Sequence, residues 1–121
     1  MDRSIQMKAM SSEVRVTILR LLAKPHEHFA DQWSADPAEL GVCMTLIAKA
    51  LGVAQPTASR HLEILVQAGF VTVAKRHKWS YCKRDGVMIA GYLEWLTREL
   101  AVGKGSQQGD PQKEGSGMPT Q

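Results

Sequence analysis

The sequence predicts a small, mainly helical α+β domain with the order α-α-α-α-β-β-α. Three observations predict it. Apolar residues recur at helical spacing over most of the first seventy positions. Two of those helical runs are separated only by "GVAQ". The alternating, β-prone stretch "FVTVAKRHKWSYCK" then precedes a last amphipathic run.

The elements follow in order. Ile5, Ala9 and Met10 suggest a short first helix. Ser11 or Ser12 can cap a second, with Glu13 in its positive first turn and Val14, Ile18, Leu21 and Leu22 as its apolar stripe. Pro25 ends it, because the residue before a proline is pushed out of helical geometry. The polar stretch "KPHEHFADQWSADPA" reads as a loop. A third helix begins near Thr45, with Ile47, Ala50 and Leu51 facing inward and Gly52 as its left-handed terminator. In the fourth, Gln55 stands at the cap, Pro56 in the first turn, and Gly69 closes the helix. "FVTVAK" and "KWSYCK" form a hairpin across the turn "RHK", and Asp85 caps the final helix.

The chain has 121 residues and a formal net charge of +3. That length suits one domain, expected over residues 1–102, followed by a tail. From Gly103 the sequence is Gly, Gln, Ser and Pro with few apolar residues, so 103–121 is expected to be a disordered polar tail. A mildly basic balance, with an isoelectric point near 9.0, fits a polyanionic partner. No apolar run reaches the roughly eighteen residues of a membrane span, and the first residues lack the apolar stretch of a secretory signal. A cytoplasmic protein without membrane contact is expected, with Cys43 and Cys82 as reduced thiols.

The two helices joined by "GVAQ" have helix-turn-helix spacing. Ala58, Leu62 and Leu65 would pack the second onto the first and hold its early turns outward. Gln55, Thr57, Ser59 and Arg60 would then point where base edges of a major groove are read. His61 lies toward the inward edge of this helix, where packing or a phosphate contact suits it better than base reading. In residues 75–84, Lys75, Arg76, Lys78, Lys83 and Arg84 place five positive charges within ten positions, with His77 and Trp79 among them. Alone, such a run is usually solvated surface. Directly after a candidate recognition helix it reads as the wing of a winged helix, with Lys75, Arg76, His77 and Lys78 placed to grip phosphates.

With these residues in place, "LIAKALGVAQPTASRHLEILVQAGFVTVAKRHKWSYCK" resembles the ArsR family of bacterial winged-helix repressors. "SSEVRVTILRLLA" is similar to the second helix of that family, and the likeness runs over roughly residues 5 to 100. It implies a homodimer on a palindromic DNA operator in a promoter, released when an inducer binds. Dimerisation also has a basis in the residues themselves. Ile89, Leu93, Leu96 and Leu100 form one stripe of the last helix, and Met88, Tyr92 and Trp95 widen it beyond the needs of one small core. One face is expected to pack at home and the other, with Ile5 of the first helix, on a partner. A monomer core is the alternative.

The signal is less legible. One metal site of the family uses a Cys-x-Cys pair, but here Cys43 is followed by Thr45 in the second position. Another uses His on the last helix, and no His follows His77. Neither site is expected, and no cofactor is implied. His26 and His28, with Glu27, Asp31 and Asp36, remain candidate ligands for zinc or nickel, against the plainer reading of a solvated loop. Cys43 and Cys82 would be a thiol switch if the fold joined them, and otherwise small core residues. Trp33 and Phe29 could line an organic-ligand pocket, although no motif supports it. The inducer is unknown. No catalytic constellation is present, so an enzyme is not expected. The alternative to a DNA-binding repressor is a winged-helix scaffold that dimerises and binds proteins without operator specificity.

Overall fold

Helix α1 (Arg3–Met10) starts where Asp2 Oδ1 accepts the Ser4 N–H at 2.8 Å, in a computed structural model that describes residues 2–103. The expected tail beyond Gly103 therefore lies outside the described residues. Packing divides the chain after Met88 into two compact units.

In the first unit α2 (Glu13–Ala23) is capped by Ser12, whose Oγ accepts the Arg15 N–H at 3.2 Å. It buries Ile18, Leu19 and Leu22. In α1 the unforeseen buried residue is Gln6. Gln6 and Ala9 are buried while Ile5 stays exposed. Gln6 is tolerated there because both ends of its amide are satisfied: Nε2 donates to the Ala68 carbonyl at 3.3 Å, and Oε1 accepts from Arg3 Nη1 at 3.0 Å.

The expected loop after Pro25 contains two elements not foreseen. One is a single-turn helix, α3 (Pro25–His28); the other is a two-residue strand, β1 (Val42–Cys43). Between them the buried Gln32 organises the backbone. Its Nε2 donates to Ala35 O at 2.9 Å and Gly41 O at 3.1 Å, and its Oε1 accepts the Cys43 N–H at 2.8 Å.

α4 (Met44–Leu51) ends at Gly52, which has φ +70 and donates its N–H to the carbonyls of Ala48 and Lys49. Its buried residues are Ile47 and Ala48, and Ala50 is exposed, contrary to expectation. At 100° per residue, Ile47, Ala48 and Leu51 share one face and Ala50 falls off its edge. α5 (Gln55–Gln67) follows, with Ala58, Leu62 and Leu65 buried.

Strands β2 (Val71–Arg76) and β3 (Trp79–Arg84) pair antiparallel from Val71↔Arg84 to Arg76↔Trp79. His77 and Lys78 are left as a two-residue turn, His77 at φ +58. β1 adds to the other edge of β3, giving the sheet order β1-β3-β2. The core of this unit includes Phe70, Val71, Val42 and Cys82.

α6 (Gly86–Glu99) carries the chain into the second unit. Met88 N–H is bonded by Asp85 Oδ1 at 3.1 Å, the expected acidic start. Ile89 and Tyr92 are buried, Trp95 and Leu96 half-buried, and Leu93 and Leu100 exposed. Among the described residues no helix is long and apolar enough to cross a membrane.

Candidate nucleic-acid interface

The reading helix is held from behind. α5 contacts α1, α2, α4 and β2, and Ala58, Leu62 and Leu65 are at most 1% exposed. Because these positions recur every three or four residues, the opposite face is left to solvent. Arg60 is exposed on it, Thr57 is exposed and Ser59 half-buried at its flanks, and Gln55 is exposed because it stands in the first turn, ahead of the buried stripe.

The helix begins one residue earlier than expected. Ala54, not Gln55, is the N-cap, so Gln55 belongs to the first turn. A helix N-terminus ordinarily attracts anions through its free N–H groups, but few are free here. Pro56 has no N–H, and the Thr57 and Ala58 N–H groups are bonded to Ala54 O at 3.1 Å. Charge at this end resides mainly in side chains, above all Arg60.

His61, grouped with the recognition-helix residues but expected toward the inward edge, is half-buried and packed. Arg15 Nη1 donates to its Nδ1 at 3.1 Å, so the neutral ring carries its proton on Nε2. Arg15 also donates from Nε to Ala9 O at 2.8 Å and from Nη2 to Lys8 O at 3.0 Å. One guanidinium therefore satisfies two carbonyls at the end of α1 and anchors α5. Burial, followed by the positive charge of Arg15, holds the His61 pKa below its usual 6.5. Since the unfolded chain binds the proton more readily, this contact stabilises the fold above about pH 6.5 and is lost as the pH falls through the lowered folded value. Lowering the pH from about 7.5 to about 5.5 should reduce the thermal midpoint of the wild type, and His61→Gln, which keeps an acceptor without titrating, should reduce it less. Equal slopes in the two proteins would remove His61 from this role.

The wing retains part of its expected charge for a ligand. Lys75, Arg76, His77 and Lys78 are exposed at the tip. Lys78 Nζ stands 5.4 Å from the centroid of the Trp79 ring, and Arg76 Nη1 donates to Lys75 O at 2.8 Å. The other two cations turn elsewhere. Arg84 Nη1 donates to Leu19 O at 3.3 Å and Lys83 Nζ to Glu39 O at 3.3 Å.

The candidate sensing residues are placed as follows. Val42 pairs with Cys82 and Cys43 with Tyr81, so strand alternation puts the two thiols on opposite faces of the sheet. Both are free and buried. Burial, and then proximity to Cys43, pushes the Cys82 thiol up to about 12, which suppresses its thiolate at neutral pH. A direct Cys43–Cys82 switch does not suit this placement. His26 Nε2 lies 3.2 Å from Asp36 Oδ1, and His28 Nε2 lies 3.9 Å from Glu27 Oε1. Among the described residues no three potential ligands converge as a metal site would require. Phe29 is buried and Trp33 is 88% exposed, so only the indole is open to a ligand.

Two helices across a tight turn, a three-stranded sheet and a basic hairpin define a winged helix-turn-helix regulator of transcription. The relatives agree. Residues 10–74 match the helix-turn-helix domain family. Over 93 residues, 77% of this chain and 93% of the relative, the sequence is 38% identical to YbzH, an uncharacterized HTH-type transcriptional regulator of Bacillus subtilis (strain 168). The chain belongs to this family of helix-turn-helix transcriptional regulators, with the fold of the ArsR group. A solved ArsR family transcriptional regulator superposes with a TM-score of 0.62 at 16% identity, covering 84% of this chain and 96% of its own. A possible transcriptional regulator for arsenical resistance gives 0.60 at 20% identity, covering 81% and 85%.

Proposed function

We propose that this protein is a dimeric repressor that binds a palindromic operator in double-stranded DNA and occludes a promoter. One observation carries the reading: α5 buries Ala58, Leu62 and Leu65 and presents Gln55, Thr57 and Arg60, beside a hairpin tip with Lys75, Arg76, His77 and Lys78 exposed. In this reading Arg60 and Gln55 reach purine edges, Thr57 and Ser59 bond bases or phosphates, and the wing cations neutralise backbone charge. His61 acts as a positioning residue through Arg15 rather than as a DNA contact.

The dimer is supported by apolar groups left without cover. In α1, Ile5 is 38% and Met7 48% exposed; in and after α6, Leu93, Leu100 and Val102 are 52%, 65% and 59% exposed. So many large apolar side chains at two helices favour burial by a second copy. In this scheme Met88, Ile89, Tyr92, Trp95 and Leu96 support the same helix, residues 1–102 act as one binding and dimerising domain, and 103–121 is a polar tail. A two-fold axis would set two recognition helices about one DNA turn apart. The protein would work in the cytoplasm, where its operator lies.

The test is to select bound sequences from random duplex and measure variants on the selected site. Arg60→Ala should weaken specific binding by about 1–3 kcal/mol and relax preference at one base pair. Lys78→Ala should weaken every duplex alike and lower the magnitude of the salt slope by about one. Unchanged discrimination between specific and random duplex in Arg60→Ala would reject α5 as the reading helix. If the wild type showed no preference at all, the chain would be a dimerising scaffold instead.

A further inference from the structure

A cavity of about 250 Å³ opens where α4 begins and the wing starts back. It is lined by Trp33 and Trp79, with Leu46 and Cys43, and Asp31 is the single acidic residue of the lining. We propose that this cavity binds a small planar aromatic cation.

Size and shape come first. A space of this volume takes a fragment of two fused rings rather than a drug-sized molecule. Trp33 is 88% exposed, the least covered of the large apolar side chains described, although indole is among the most favourable groups to bury. Its ring has contact area available for an occupant.

The polar inventory then selects the charge. The Gln32 amide lines the cavity but is committed on both sides, its Nε2 to Ala35 O and Gly41 O and its Oε1 to the Cys43 N–H. The Ser34 hydroxyl already accepts from Tyr81 OH at 2.8 Å. These contacts hold the wall together, and the Ser34 O–H and the Thr45 hydroxyl are the small neutral polar groups left in the lining. The groups that select charge are two tryptophans and one acidic residue, with no lysine or arginine in the lining. That combination attracts a delocalised cation by its charge and by the ring quadrupoles together. Lys78 Nζ, 5.4 Å from the Trp79 centroid, shows that this indole takes a positive charge in the free protein.

The position also suggests a consequence. Cys43, Thr45 and Leu46 lie at the start of α4, which packs on α5, and Trp79 begins β3 next to the wing turn. An occupant touches α4, which packs on the reading helix, and the first residue of β3, which follows the wing turn, so it would shift affinity for the operator through these neighbours; this consequence alone rests on the DNA-binding reading.

Calorimetric titration of the full-length protein without DNA tests the site apart from that reading. N-methylquinolinium should bind about tenfold more tightly than neutral quinoline, the same ring without the charge. Trp33→Ala and Asp31→Asn, both at exposed positions, should each weaken the cation by about three- to tenfold while the thermal midpoint stays within a few degrees of the wild type. No binding at millimolar cation, equal binding of the two compounds, or unchanged affinity in both variants would overturn the proposal. A change of oligomeric state in Trp33→Ala with unchanged cation affinity would do so too, and would make the exposed indole an interface between copies.

Discussion

Gly41→Ala is expected to destabilise the protein by about 3–5 kcal/mol, enough to lower the thermal midpoint by on the order of 20 °C. Two causes combine. Gly41 has φ +115, a conformation that L side chains rarely adopt. A Cβ there would also stand 2.6 Å from the carbonyl oxygen and 2.8 Å from the carbonyl carbon of Cys82, both backbone atoms of β3. No side chain can swing away, so β1 would have to leave the sheet. That movement would strain the Gln32 amide, which bonds both Gly41 O and Cys43 N. Gly52→Ala is the control. It also has a positive φ, +70, but a Cβ there meets nothing within 4 Å, so only the backbone penalty of about 1 kcal/mol applies. If thermal unfolding gave the two variants equal losses, the close approach of Gly41 to β3 would be wrong.

Leu65→Ala should have the next largest effect, about 3 kcal/mol, or roughly 10–20 °C in thermal midpoint. Leu65 is fully buried and extends the stripe begun by Ala58 and Leu62 along the inner side of α5. Truncation removes apolar contact and leaves a void that close-packed neighbours fill only in part. Val66, the next residue, is 40% exposed, and Val66→Ala should change stability by about 0.5 kcal/mol or less. The pair therefore reports which side of α5 faces the core. Comparable losses at both sites in chemical denaturation would mean that the helix is rotated, and Arg60 with it.

Much of the architecture was legible because its causes are local. The stripe Ala58, Leu62 and Leu65, Gly52 after α4, and the β-prone runs either side of "RHK" each act within a few residues. The ArsR likeness of residues 5 to 100 agreed with the fold for the same reason. Side-chain commitments were less accessible. Arg84 and Lys83 counted as wing charges in the sequence, yet their partners are the carbonyls of Leu19 and Glu39. The spacing puts His61 toward the inward edge of α5 and leaves packing or a phosphate contact open, whereas in the fold its ring is bonded by Arg15. No local pattern announces either choice. Gln32 had a faint signal, one amide in a loop of charged and small residues, but nothing that marked its burial.

By itself the amino-acid sequence determined every described helix but the single turn α3, the tight turn between α4 and α5, the hairpin and its excess of positive charge. These follow from periodicity, caps and turn residues, whose interactions span a few positions. Tertiary structure alone decided that Gln6 would bond Ala68, that Arg15 would hold His61, and that Trp33 and Trp79 would share a cavity. Each joins residues more than forty positions apart, and a long-range contact depends on how whole elements pack rather than on any spacing along the chain.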